Sequence, residues 1–277
     1  MTNKELSANN NQIYTPIYTP IYTVFISCGL GNRLFQFASA YGVSKTHNVN
    51  FKLYTNLCSR NSHSDDVYYS RFFSDFYTSG ELNNPTWIRE PVFTLNKFFI
   101  PKLDTNVVLR GYFRTDKYFK EYRNDLLHII KPTSDEVKYI RDKYGDLTNT
   151  MFIHVRMGDY LIEKMHFIDF NKYYKECLSK CDNDTRFIVL TDNKDQCLDL
   201  YSFFSEYEFA IESEIISLFL MSMCNRGGIC ANSSFSWWGS WLNTNPDKKI
   251  FMPNLWFSDL DYTNTDIHPD SAIIITV

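Results

Sequence analysis

From Tyr22 onward the chain switches between short runs of β-branched and aromatic residues and longer stretches whose apolar positions return every three or four residues. Residues 22–27 (YTVFIS) predict a strand, and residues 28–32 (CGLGN) predict a glycine-rich turn. Within residues 33–48, Leu34, Ala38 and Tyr41 share one helical face, and VNFKLYT at 49–55 alternates as a strand does. Residues 58–102 are irregular and rich in Ser and Asn. VVLRGYF (107–113) reads as a strand, residues 116–131 as one amphipathic helix stopped by Pro132, and residues 134–143 as another. The second half repeats the rhythm. Strands are predicted in 150–159, 185–193, 226–234 and 248–253, and helices in 170–181, 194–204, 212–224 and from Ser234 onward.

Strands alternating with helices in both halves predict an α/β, doubly wound architecture, with ligands at the carboxyl ends of the strands. The weakest join falls at 145–149. It divides the chain into an extended arm (1–21), an N-terminal unit (22–147) and a C-terminal unit (148–277). In the arm, IYTPIYTPIYT places proline at every fourth position, which blocks a helix and disfavours a central strand.

Composition narrows what such a fold holds. There are 28 Lys+Arg against 32 Asp+Glu, a net charge of −4, and no long basic run, so binding of nucleic acid through a broad positive surface is excluded. An anionic ligand must find its positive charge locally. The apolar stretch at 215–224 is broken by Ser217 and Ser222 and falls short of the roughly 20 residues a membrane-spanning helix needs. The N-terminus lacks the basic-then-apolar order of a secretory signal. The expectation is a cytoplasmic protein with no transmembrane segment, peripheral membrane association staying open. The seven cysteines include no C-x-x-C and no zinc spacing, which suits reduced thiols. Glycine is scarce, ten residues in all, yet Gly29, Gly31, Gly158, Gly227, Gly228 and Gly239 gather in three short segments, the last shared with Trp237, Trp238 and Trp241.

Those segments carry the candidate chemistry. The first, from Cys28 to Arg33, stands between strand and helix, where glycines let backbone approach a phosphate or sugar at a helix N-terminus. It lacks the third glycine of a dinucleotide fingerprint and the G-K-[ST] of a P-loop, and a purely structural tight turn is an equal reading. The second, from His154 to Tyr160, places His154 and Arg156 on one face of a strand end and Met157 on the other, which suits a bidentate contact from Arg156 to phosphate. The third, from Cys230 to Gly239, sets Asn232, Ser233, Ser234 and Ser236 at a strand-to-helix turn; they cap a helix, and as a cluster they can also hold a diphosphate. Asp182-Asn183-Asp184 and Asp259-Leu260-Asp261 match a D-x-D metal pattern formally but read as solvated loops, so no metal ligand is assigned.

Taken in order, the segments resemble the α-1,2-fucosyltransferases, glycosyltransferase family 11. The family's G-G-L-G-N-Q-M-F-Q-Y-A is similar to residues 28–38, its H-x-R-R-G-D-Y to 154–160, its L-x-T-D-N to 190–193, and its I-I-A-N-S-[ST]-[FY]-S-W-W to 229–238. Residues 110–113 with 116–119 are similar to its G-Y-[FW]-Q-S-x-K-Y-F. The resemblance spans about residues 24–257. It implies a GT-B-type fold with two Rossmann-like doubly wound domains facing a cleft, GDP-fucose as donor, a galactoside acceptor, inversion at the anomeric carbon, and neither cofactor nor metal. It implies that Arg156 neutralises the departing diphosphate, that His154 lies beside the nucleoside, and that Ser233, Ser234 and Phe235 with Asn232 hold the diphosphate. Gly29, Gly31 and Asp192 are further donor-side residues, and Asn32 faces the donor sugar. Asp159 ranks first as the base for the acceptor hydroxyl, ahead of Glu163, and is equally able to orient Arg156. Two positions depart from the family: Met157 replaces the second Arg and Arg33 replaces Gln. A different GDP-sugar transferase, or a degenerate sugar-nucleotide-binding protein, is the alternative.

Overall fold

The computed structural model describes residues 19–59, 69–91, 95–158, 168–258 and 265–277. The first sheet is parallel and has the order β2-β1-β6-β5, built from β1 (Ile21–Val24), β2 (Asn50–Phe51), β5 (Thr86–Arg89) and β6 (Val107–Arg110). A two-stranded parallel pair, β3 (Leu53–Tyr54) and β4 (Tyr77–Thr78), lies beside it. Helix α1 (Leu30–His47) connects β1 to β2 and packs on the first sheet. Its Leu34, Phe35, Phe37 and Ala38 are fully buried together with Tyr22, Val24, Val107 and Leu109.

The second sheet is larger and also parallel, in the order β12-β11-β10-β7-β8-β9. Its strands are β7 (Thr150–Val155), β8 (Arg186–Thr191), β9 (Glu208–Ala210), β10 (Gly227–Ile229), β11 (Lys249–Pro253) and β12 (Ala272–Ile275). Every residue of β7 is buried, as expected for a central strand covered on both faces. Helices α2 (Arg123–Ile129) and α3 (Ser134–Tyr144) precede it, and α4 (Asn171–Ser179), α5 (Lys194–Leu200), α6 (Glu214–Met223) and α7 (Ser234–Leu242) alternate with its strands. Thr133 and Glu136 close a capping box at the start of α3. Among the described residues no helix is long and apolar enough to cross a membrane.

Four sequence expectations change. Residues 116–131 are two 3₁₀ turns followed by α2. Phe119, where the two turns join, is buried against Trp237, Trp238 and Trp241 of α7, a contact that no local pattern announces. The irregular region contains β5, an edge strand whose largely exposed side chains hide its pairing from a hydrophobicity pattern. The short β9 and the final strand β12 also go unseen in the sequence. Finally, α3 precedes the proposed boundary at 147/148 but packs on α6 of the second unit, where Tyr144 Oη and Lys143 Nζ both bond Glu212 at 2.5 Å.

The two units share one apolar core. The Phe35 ring from α1 lies 4.4 Å from Trp237 and 5.3 Å from Trp238 of α7, and Phe119 stacks on Trp238 at 5.5 Å. Trp237 and Trp238 are fully buried, so their segment is first a packing helix that joins the sheets. All seven cysteines are free thiols, and burial raises Cys230 to about 12.

Candidate active site

The central strands of the larger sheet end together. β10, β7 and β8 are neighbours; β7 ends with His154 and Val155 and runs on into 156–158, while β10 runs on into 230–235 and β8 into Asp192. His154 is 5% exposed, and its ring centroid lies 5.7 Å from that of Phe235. Burial, reinforced by the Arg156 charge, pushes its pKa down to about 3, so the imidazole is neutral near neutral pH. Its Nδ1 is buried without a hydrogen-bond partner, an unmet capacity beside the turn at the start of α7.

Arg156 is held by one carboxylate. Its Nη1 lies 2.7 Å from Asp192 Oδ2, while Asp192 Oδ1 accepts the Met157 amide at 2.8 Å. Asp192 therefore fixes both the guanidinium and the loop that carries it. Gly158 has a φ of +27°, and a Cβ there would lie 2.6 Å from Asp192 Oδ2, so this position excludes a side chain. Met157, 2% exposed, packs with Ile153, Val155 and Tyr173, on the side away from Arg156.

The turn before α7 meets the glycine turn before α1. Ser233 is the N-cap of α7 and its Oγ accepts the Phe235 amide at 3.3 Å, while Asn232 Nδ2 donates to the Trp256 carbonyl at 3.0 Å. Gly31 sits against this turn so tightly that a Cβ would lie 2.6 Å from the Phe235 nitrogen and 2.6 Å from the Ser234 carbonyl carbon. Its missing side chain thus permits a close approach within the protein itself. From this contact α1 and α7 run on together through Phe35, Trp237 and Trp238. Gly29 caps α1 without any side-chain hydrogen bond. Two positive helix ends are thereby brought side by side, an arrangement that favours an anion between or beside them.

A further cation reaches the same place. Arg114 donates Nε to Asn32 Oδ1 at 3.3 Å, and its guanidinium lies 4.1 Å from the Tyr112 ring centroid and 5.9 Å from that of Phe257. Asn32 adjoins Gly31, and Phe257 adjoins Trp256, whose carbonyl holds Asn232. Arg114 is therefore placed from both sides near the α7 turn. Glu90 supports its loop by accepting the Tyr112 amide at 2.5 Å and the Phe113 amide at 2.9 Å, and burial raises its pKa. Arg33, in contrast, is fully buried and bonds the Cys28 carbonyl through Nε.

The structure thus gathers His154, Arg156, Asp192, Asn232, Ser233, Ser234, Phe235, Gly29, Gly31 and Asn32 around adjoining strand ends. Asp159, Glu163, Asp259 and Asp261 lie outside the described residues. Asp182 pairs with Arg226 and Lys249 before β8 begins, at the opposite edge of the sheet from Arg156. Among the described residues no group of three or more His, Cys, Asp and Glu side chains is arranged to hold a metal ion. Arg114 and Glu90 were not singled out in the sequence. The available signal was a cation directly following the matched residues 110–113.

Two parallel α/β sheets in one chain, with a basic site where their strand-to-helix turns meet, form the GT-B type of glycosyltransferase. The fold is shared with the fucosyltransferase NodZ from Bradyrhizobium, at a TM-score of 0.52 and 14% identity over 80% of this chain and 93% of that one. NodZ α-1,6-fucosyltransferase co-crystallized with GDP gives the same TM-score at 12% identity, over 80% of this chain and 92% of that one. Residues 87–268 match Glycosyl transferase family 11, and the chain belongs to that family. Similar proteins include the O-antigen biosynthesis glycosyltransferase WbnK of Escherichia coli, 26% identical over 84% of this chain and 94% of the relative. An α-1,2-colitosyltransferase of Escherichia coli is likewise 26% identical, over 89% of this chain and 96% of the relative.

Proposed function

We propose that the protein transfers L-fucose from GDP-fucose to the 2-hydroxyl of a terminal galactoside, with inversion and without a metal ion. The observation that carries this reading is the meeting of two helix N-termini beside Arg156. As the sugar–phosphate bond breaks, the sugar takes oxocarbenium character and negative charge grows on the diphosphate. Fixed donors aimed at that charge lower the barrier most. Arg156, oriented by Asp192, supplies a guanidinium fork, and the Ser233–Phe235 turn supplies amides and a hydroxyl. Arg114 adds positive charge from the first unit where Met157 contributes none. His154, kept neutral, offers its unmet nitrogen to the nucleoside without adding charge. Asn32, fixed by Arg114, faces the donor sugar. Asp159 takes the proton of the attacking hydroxyl.

The α-1,2-colitosyltransferase relative favours a second reading, in which the donor is another GDP-linked deoxy sugar. Release of GDP from GDP-fucose and from a GDP-linked colitosyl donor, each against a panel of galactosides, separates the two, and the product linkage is then determined. Fucosyl transfer that persists in EDTA and forms a 1,2-linkage is expected. Strict dependence on Mn²⁺, or GDP-fucose binding with no GDP release on any galactoside, would overturn the proposal.

A further inference from the structure

The rim of the first sheet holds a charge arrangement that the donor site does not use. In the parallel pairing of β5 with β6, Arg89 lies in register with Arg110, so the two side chains leave the same face as neighbours. Both are exposed. Like charges at paired positions disfavour a sheet. Other arginines near strand and helix ends are paired, Arg71 with Glu136, Arg186 with Glu208 and Arg226 with Asp182. Arg89 and Arg110 have no carboxylate partner among the described residues. Glu90, the acid that follows Arg89, is committed to the amides of Tyr112 and Phe113.

The surroundings suit a sugar chain. Trp87, two residues before Arg89 and therefore on the same face, is 42% exposed, and Tyr112 is 39% exposed. Such rings offer flat apolar surface to the faces of pyranose rings. The Arg110 guanidinium rests 5.2 Å from the Phe25 ring centroid, which leaves its polar edge available. From Arg110 the chain passes through Gly111–Phe113 to Arg114, which reaches the turn proposed to hold the donor. Arg89 and Arg110 thus lie on the approach to that site from the unit opposite the donor's own sheet.

We propose that Arg89 and Arg110 form an acceptor subsite and that the preferred acceptor is an anionic galactoside, its carboxylate or phosphate group seated between the two guanidinium forks. This rests on the transferase reading above and names the acceptor class. The preference is tested with three β-galactosides: a neutral oligosaccharide, the same chain bearing a uronic acid, and the same chain bearing a reducing-end phosphate. At low salt the charged acceptors should exceed the neutral one in kcat/KM by about tenfold or more. The advantage should fade toward 1 M salt, where the Debye length is about 3 Å. The uronic acid and phosphate arms tell which anion is read. In R89Q/R110Q the preference should vanish while transfer to the neutral acceptor and the melting temperature hold.

Saturation-transfer NMR of the three galactosides, with GDP present, measures the preference without any transfer. If charged galactosides bind preferentially but nothing is transferred, the transferase reading fails and the subsite stands. If all three are used or bound equally, or if the preference survives in R89Q/R110Q, the subsite is wrong.

Discussion

Two strand-to-helix turns, one from each unit, meet at the site, and they are built differently. In the second unit, β10 leads through Asn232 and Ser233 into α7, and a side-chain hydroxyl of the chain caps the helix. In the first unit, β1 leads through Cys28 and Gly29 into α1, which has no side-chain cap. The capped turn is held on several sides: by Trp256 through Asn232, by the buried Trp237 and Trp238 behind it, and by His154 alongside. The uncapped turn is held by Arg33 at its own carbonyl and by its contact with the other turn. One half is a rigid cradle beside a fixed guanidinium. The other brings glycine backbone and Arg114 to it, so the site exists only while Gly31 stays seated on Ser234.

The cradle side should be the more sensitive to loss of charge. Arg156→Ala is expected to lower kcat by about 10³-fold, roughly 4 kcal/mol of transition-state stabilisation, with the far-ultraviolet circular dichroism unchanged. A comparable loss in Arg114→Ala would erase the asymmetry between the halves. Gly31→Ala tests the contact between them. With backbone 2.6 Å from the new Cβ, overpacking is expected to cost about 1–3 kcal/mol. It should read out as a lower melting temperature together with weaker GDP binding, whereas Gly29→Ala, with open space at its Cβ, should keep more of both.

His154 sharpens the comparison through pH. Its folded pKa lies near 3, below the ordinary value of 6.5, so between those limits the unfolded chain binds a proton the folded chain refuses. Stability therefore rises with pH across that window, and acidification from pH 6.5 to pH 5 should cost about 1.6 kcal/mol through this residue. Urea denaturation at several pH values should show a shallower slope in His154→Gln. Smallest is Arg114→Ala, expected to lower kcat/KM for the donor about tenfold, near 1.4 kcal/mol, with Arg114→Lys recovering part of it.

Much of this was legible in the sequence because it is local. The alternation of apolar runs and helical periods marked the four inner strands of the second sheet and the helices between them, but not β9 and β12 at its edges. Glycine, Asn-Ser-Ser and His-x-Arg groups at strand ends marked the turns, since a strand end projects its next residues toward a ligand whatever the rest of the chain does. Family membership was equally local, resting on motifs in order.

What the sequence did not disclose depends on residues distant along the chain. Edge strand β5 shows no pattern because most of its side chains are exposed, and only pairing with β6 defines it. The break at Phe119 follows from the tryptophans of α7, more than a hundred residues onward. Asp192 could be assigned to the donor from its motif, but its grip on Arg156 and the Met157 amide required β8 to lie next to β7. Gly31 read equally as room for a ligand and as a structural turn, and the fold set Ser234 and Phe235 against it. Sequence determined the residue types at each turn, because those follow from backbone conformation and local capping. Tertiary structure decided which turns meet, because close packing and the pairing of charges act across space.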